Sequence, residues 1–233
     1  MKITCVVDNT ASRQSGFWAE HGLSFLVEAQ GMRVLFDTGQ SGTVLLHNLE
    51  LLGVDPTSIE ALVISHAHYD HTGGLPALLE HLRQGVPLYA HPDLFRERFS
   101  QRKEEIKSIG LPLTREALAR RVTLRLDAKP VEVAPGVWTS GEITPRPEPE
   151  GRSPRHLVRT AEGWAPDPYQ DDMALVLGDD PGAGLFVLCG CCHAGLLNTL
   201  AHVRRVFGGD IIAVAGGLHL VSADEAHLRR VLE

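Results

Sequence analysis

The stretch Ser65-His66-Ala67-His68-Tyr69-Asp70-His71-Thr72-Gly73-Gly74 constrains this chain more than any other. Three histidines and an aspartate fall within six residues. The apolar run Ala61-Leu62-Val63-Ile64 just before them reads as a buried strand. Gly73-Gly74 and then Leu75-Pro76-Ala77-Leu78-Leu79 read as a turn entering a helix. The ligand-type side chains are therefore expected on a loop at the carboxyl end of a strand, where α/β proteins tend to place their chemistry. Histidines at i and i+2 of an extended segment point the same way, so His66 and His68 can reach one ion. Asp70 and His71 follow in the turn and can face the same space from another angle. Imidazole with carboxylate suits zinc, with manganese or iron as alternatives, and leaves room for water.

The rest of the chain sets bounds on that chemistry. Its 233 residues suit one domain with a sizeable core. A formal charge of -7 argues against a general nucleic-acid or membrane-surface binder and leaves a small-molecule substrate as the expected partner. No apolar run approaches membrane-spanning length. Met1–Asp8 reads as a first strand rather than a signal peptide. Cys189, Cys191 and Cys192 crowd one loop and only Cys5 lies elsewhere, which is no disulfide framework and fits a reducing cytoplasm. Nothing in the sequence fixes an oligomeric state.

In chain order, strands are expected at 2–8, 23–28 and 32–36, the last two joined at Gln30-Gly31. A helix is expected from Ser41 to Leu52, stopped by Gly53. After the histidine loop come a helix near 75–83 and a strand at 87–90. Residues 93–121 are charged and read as a helical insertion or flap, with 96–107 an exposed helix face. Short strands are expected at 122–126, 131–133 and 137–139. Residues 144–170 lack periodicity and read as a long mobile loop. Strands at 173–177 and 185–188 lead into Gly190-Cys191-Cys192-His193-Ala194-Gly195, then a helix over 195–207 and a strand over 211–215. The chain closes in a helix from about Ala223 to Glu233, with Ser222 as N-cap.

His66-x-His68-x-Asp70-His71 resembles the metal signature of the metallo-β-lactamase superfamily. Leu35-Phe36-Asp37-Thr38-Gly39 resembles that superfamily's first motif. The resemblance implies an α+β fold, an αββα sandwich of two mixed sheets with helices outside. It implies that His66 and His68 bind a first metal, that Asp70 and His71 bind a second, and that Asp37 orients a ligand histidine. Asp8-Asn9, Glu20–Ser24, Phe36–Gly42, Gly141-Glu142-Ile143, Gly190–Gly195 and Gly216–Leu220 are similar to a narrower branch. That branch is named for a 7,8-dihydropterin-6-methyl-4-(β-D-ribofuranosyl)aminobenzene-5'-phosphate synthase. The chain departs from the superfamily pattern in three places. Ser140-Gly141-Glu142 stands where an isolated histidine is usual, and Cys191 where a bridging aspartate is usual. No closing histidine segment follows the last helix, so that ligand is either missing or replaced by His219.

His193 is the best replacement ligand, or an active-site acid. Cys191 is either a thiolate ligand or a small buried residue. Glu142 reads as a ligand or a base behind the ligands, and His21 as a residue lining the pocket. His47, His81, His202 and His227 fall on expected helices and are assigned to the surface. Arg146, Arg152, Arg155, His156 and Arg159 form a basic run, read as a solvated loop or an anion grip. The expected activity is hydrolysis of an ester or phosphoester, the substrate phosphate-bearing and pterin-like, by a hydroxide held on one or two divalent ions. Asp70, His193 and His219 are the expected catalytic groups. A metal-binding sensor of the same fold without turnover is the alternative.

Overall fold

The structure is a computed structural model that describes residues 1–178, 184–221 and 223–232. The first half runs β1 (Lys2–Val7), β2 (Ser24–Ala29), β3 (Met32–Phe36), α1 (Gly42–Leu51), β4 (Ala61–Val63), α2 (Tyr69–Thr72), α3 (Leu75–Leu79) and β5 (Val86–Ala90). Then come β6 (Arg98–Arg102), β7 (Glu105–Ser108), α4 (Arg115–Ala119) and β8 (Val122–Leu126). The second half runs β9 (Glu132–Ala134), β10 (Val137–Thr139), β11 (His156–Thr160), β12 (Gly163–Pro166), β13 (Ala174–Leu177), β14 (Leu185–Cys189), α5 (Leu196–Phe207), β15 (Ile211–Gly216) and α6 (Glu225–Leu232). The expected Ser222 cap and Glu233 lie outside the described residues.

Among the described residues β1-β2-β3-β4-β5-β8 form one mixed sheet and β15-β14-β13-β10-β9 a second. Strand alternation explains how they stack. Phe25, Val27, Val34, Phe36, Ala61 and Val63 share a buried cluster with Val133, Val137, Leu175, Leu177 and Leu188 of the second sheet. Their neighbours Leu26, Leu35 and Leu62 point the other way and pack with Leu45 and Leu49 of α1 and Leu75 and Leu78 of α3. On the far face of the second sheet, Val176 and Val187 pack with Leu196 and Val203 of α5. Strands apolar on both faces are what a sheet covered on both sides requires. Each fully buried leucine or valine removes surface worth about 2 kcal/mol. The result is the expected αββα sandwich. Among the described residues no helix is long and apolar enough to cross a membrane.

Two segments differ from the sequence reading. The helix expected within 93–121 is confined to α4. Residues 98–108 are instead the hairpin β6–β7, turned at Lys103 with φ 56°. The 144–170 stretch, expected to lack regular structure, carries the hairpin β11–β12. Their physical reason is each other: β11 pairs with β6, giving a third sheet in the order β12-β11-β6-β7. A strand whose partner lies far along the chain draws its stability from that pairing rather than from local pattern. His202, assigned to the surface, is buried on α5 with Nε2 3.0 Å from Ser140 O.

Candidate metal centre

The histidine loop leaves the buried strand β4 and is held from below by Asp37. Asp37 Oδ1 accepts from Ser65 N at 2.7 Å, and Oδ2 accepts from Ser65 Oγ and from His71 Nδ1, both at 2.6 Å. The single Ser65 hydroxyl proton goes to the carboxylate, which can only accept. Ser65 Oγ therefore accepts from His66 Nδ1 at 2.8 Å, which leaves the His66 lone pair on Nε2. His71 likewise spends its Nδ1 proton on Asp37. His193 Nδ1 donates to Gly151 O at 3.0 Å, so its lone pair also sits on Nε2. These assignments follow from the partners each nitrogen has.

His66, His68 and His193 bring one ligand atom each within 4.8 Å of one another. His66 with His71 and Cys191 forms a second such group, and Cys191 with His193 and His219 a third. His66 Nε2 accepts from His68 Nδ1 at 3.1 Å, which leaves the His68 lone pair on Nε2. Among the described residues His68 Nε2 and His193 Nε2 are buried without a hydrogen-bond partner. Burial, and then the neighbouring histidines, push the His66 and His68 imidazoles well below their usual range. Burial and His219 do the same to His193. Neutral imidazoles packed edge to edge, with buried lone pairs and a thiol beside them, fit a divalent cation.

His71 differs. Burial alone would lower it, but the Asp37 charge and hydrogen bond, with help from Cys191 and Asp70, raise it well above the usual imidazole value. Cys191 is the loop cysteine that joins these clusters; burial raises its thiol against the pull of His71. Cys189 and Cys192 pack into the core around α5 instead. Asp70, expected to share a second cation with His71, falls in none of the three groups. Its Oδ2 lies 3.5 Å from both His71 Nε2 and the Nε2 of the exposed His21. Glu142 also stands apart, its Oε2 3.7 Å from His91 Nε2. His219 packs its ring 4.7 Å from that of His193.

Close approach of the two loops depends on Gly190. A Cβ there would overlap the Ser65 side chain and crowd Asp37 Oδ2. Asp37, Tyr169, Cys192 and His219 hold φ of 60°, 49°, 59° and 52°, and such strain gathers where side chains must be aimed.

Several residues at the site carried no signal in the sequence. Tyr169 stacks on His193 with ring centroids 4.4 Å apart. Its hydroxyl accepts from Ser153 N at 3.1 Å and lies 2.8 Å from His156 Nδ1. His156, noticed only as part of the basic run, sets its ring 4.9 Å from His68. Burial and then His219 lower its imidazole to about 4. Arg146 of the same run donates to the carbonyls of Ile143, Pro168 and Tyr169, so it is a strut under Tyr169. A cavity of about 440 Å³ opens beside His219, lined also by Gly151, Arg152, His227 and Arg230.

The profile of the Metallo-beta-lactamase superfamily matches residues 18–227. The 7,8-dihydropterin-6-methyl-4-(β-D-ribofuranosyl)-aminobenzene-5'-phosphate synthase of Methanocaldococcus jannaschii is 32% identical over 98% of this chain and 80% of its own. An uncharacterized protein of the same organism is 29% identical over 99% of this chain and 84% of its own. A solved metal-dependent hydrolase of the β-lactamase superfamily, 26% identical, superimposes with a TM-score of 0.81 over 99% of this chain and 81% of that one. The loops that converge here do so on a fold and a sequence shared along nearly the whole chain, and this chain belongs to the metallo-β-lactamase superfamily.

Proposed function

We propose that the chain is a metal-dependent hydrolase acting on a small ester or phosphoester, with its cation held by His66, His68 and His193. The observation that carries this is the convergence of three neutral, buried imidazoles from two separate loops. The family and the solved hydrolase of the same fold support it. His71 and Cys191, which cluster with His66, are the donors for a second cation, and zinc suits a set of imidazoles with a thiolate. A divalent cation bound there supplies a Lewis acid and lowers the pKa of water.

The chain's own groups then divide the work. Asp70, its Oδ2 3.5 Å from His71 Nε2, orients the attacking water and takes its proton. His219 lies at the rim, between His193 and the 440 Å³ cavity; burial holds its imidazole below the usual range, so its N–H hydrogen-bonds the leaving group, which departs with the proton that Asp70 took from the water. Asp37 keeps the His71 lone pair aimed outward. The cavity beside His219 accepts the body of the substrate. The relative's name points to a phosphate-bearing, pterin-like molecule, for which Arg152 is a cation at the cavity wall. Four free thiols suit a reducing cytoplasm.

His68→Ala is the deciding variant. It should lower bound metal and abolish turnover on a panel of phosphodiesters, lactones and thioesters. Unchanged metal content and turnover would overturn the reading. One tightly held cation with no turnover across the panel would favour a binding protein of the same fold.

A further inference from the structure

We propose that Asp171 and Asp172 are positioning residues that hold the two histidine loops at the separation a shared cation needs, a proposal that rests on the metal-centre reading above. Asp171 Oδ2 accepts from the backbone N–H of Ala67 at 2.8 Å. Ala67 lies between His66 and His68. Asp172 Oδ2 accepts from the backbone N–H of Ala194 at 2.7 Å. Ala194 follows His193. The chain turns at these residues, Asp172 N donating to Tyr169 O at 3.3 Å, and the two consecutive carboxylates grip loops from different halves of the chain. Met173 N adds a backbone pin, donating to Ser65 O at 3.0 Å.

The clamp is itself anchored. Asp171 and Asp172 are each 1% exposed. Asp171 Oδ1 lies 2.6 Å from Arg98 Nη2, and the Arg98 side chain is wholly buried. That guanidinium also meets Asp93 Oδ2 at 3.0 Å and Asp167 Oδ2 at 3.2 Å, and donates to the carbonyls of Asp93 and Arg96. A line of charge-assisted contacts thus runs from β6 in the third sheet to the backbone between two ligand histidines. Coordination bonds near 2.0–2.1 Å tolerate little displacement of a ligand nitrogen, so the height of each loop decides affinity. The carboxylates touch neither cation nor substrate in this scheme; they act through Ala67 and Ala194.

Cobalt(II) binding tests this, read by the d–d absorption of the bound ion and by competition with a chromophoric chelator. The proteins are wild type, Asp172→Ala, Asp172→Glu, Asp172→Asn and Leu118→Ala. Leu118 is fully buried in the first-half core, so its truncation costs stability while removing none of the hydrogen bonds that hold either loop. Asp172→Ala and Asp172→Glu should shift the band and weaken cobalt binding 10–100-fold. Asp172→Asn keeps an acceptor for Ala194 and should keep the wild-type band, as should Leu118→Ala. Wild-type spectrum and affinity in both Asp172→Ala and Asp172→Glu overturn the clamp. So does a Leu118→Ala effect of equal size. Should Asp172→Ala fail to fold, Asp172→Glu carries the comparison. A wild-type protein that binds no cobalt overturns the metal centre and the clamp together.

Discussion

His71 Nδ1 donates to Asp37 Oδ2 across 2.6 Å, and both side chains are 1% exposed. The same carboxylate takes both Ser65 donors, so one group fixes the start of the histidine loop and the ring at its end. Asp37→Ala strands these donors and places alanine at φ 60°, a region that asparagine and aspartate tolerate far better. The expected cost is about 3–5 kcal/mol of stability. Metal affinity should fall about 10–100-fold. Urea denaturation and chelator competition measure the two, and Asp37→Asn should lose less stability. A stable Asp37→Ala protein with wild-type affinity would show that neither loop depends on this carboxylate.

Arg98 is expected to dominate the stability of the third sheet. Its side chain is wholly buried among Asp93, Asp167 and Asp171. Arg98→Met leaves Asp167 and Asp171 without their cation and Asp93 with Arg96 alone, and should cost about 3–5 kcal/mol. Arg96 also pairs with Asp93, at 2.8 Å, but is partly exposed. Arg96→Ala should change stability by no more than about 1 kcal/mol. Equal shifts in urea midpoint for the two variants would contradict the assignment.

The contrast between these arginines also marks what could be read in advance. The two stacked sheets were legible because Phe25–Val27, Val34–Phe36 and Ala61–Val63 are apolar at every position, as strands covered on both faces must be. The histidine loop was legible because its donors are contiguous. Arg98-Phe99-Ser100-Gln101-Arg102 gave no such pattern, since its partner strand begins at His156. Tyr169, Asp171 and Asp172 were silent for the same reason: each acts on a loop far away in sequence. Cys191 stood apart from its neighbour Cys192 only by its place in the superfamily pattern. The φ of 59° at Cys192 turns the chain between a thiol at the cluster and a thiol in the core.

Gly190→Ala should break the contact between the two loops. The added methyl would overlap Ser65 Oγ and press on Asp37 Oδ2, and neither can retreat without losing a buried hydrogen bond. Overpacking of this kind costs about 1–3 kcal/mol. Thermal unfolding should show a lowered Tm, and metal content should fall with it. An unchanged Tm would mean that the loops part at no cost.

Cys191 and Cys192 should separate cleanly on cobalt loading. A thiolate on cobalt gives an intense near-ultraviolet charge-transfer band. Cys191 Sγ lies within 4.8 Å of donor atoms of His66 and His71. Cys192 Sγ instead lies 3.5 Å from Thr199 Oγ1 inside the core. Cys191→Ser should abolish the band, whereas Cys192→Ser should keep it and lose stability. A band that survives Cys191→Ser would remove the thiol from the ligand set.

Asp172 should also give the fold a pH dependence that Asp172→Asn lacks. Burial raises its carboxyl to about 7 against the opposing pull of the Ala194 N–H and Arg146. The unfolded chain titrates near 3.9, so between about 4 and 7 the folded state binds more protons than the unfolded one. Stability from this group is therefore full below about pH 4 and is lost as the pH rises through 7, with a ceiling of about 4 kcal/mol. The asparagine variant removes the titration while keeping an acceptor for Ala194. Urea unfolding of metal-free protein at pH 5 and pH 8 measures the difference. Wild type should lose stability relative to Asp172→Asn on going from the lower to the higher pH. Parallel behaviour of the two proteins would place the Asp172 carboxyl near its ordinary value and its charge at no cost to the fold.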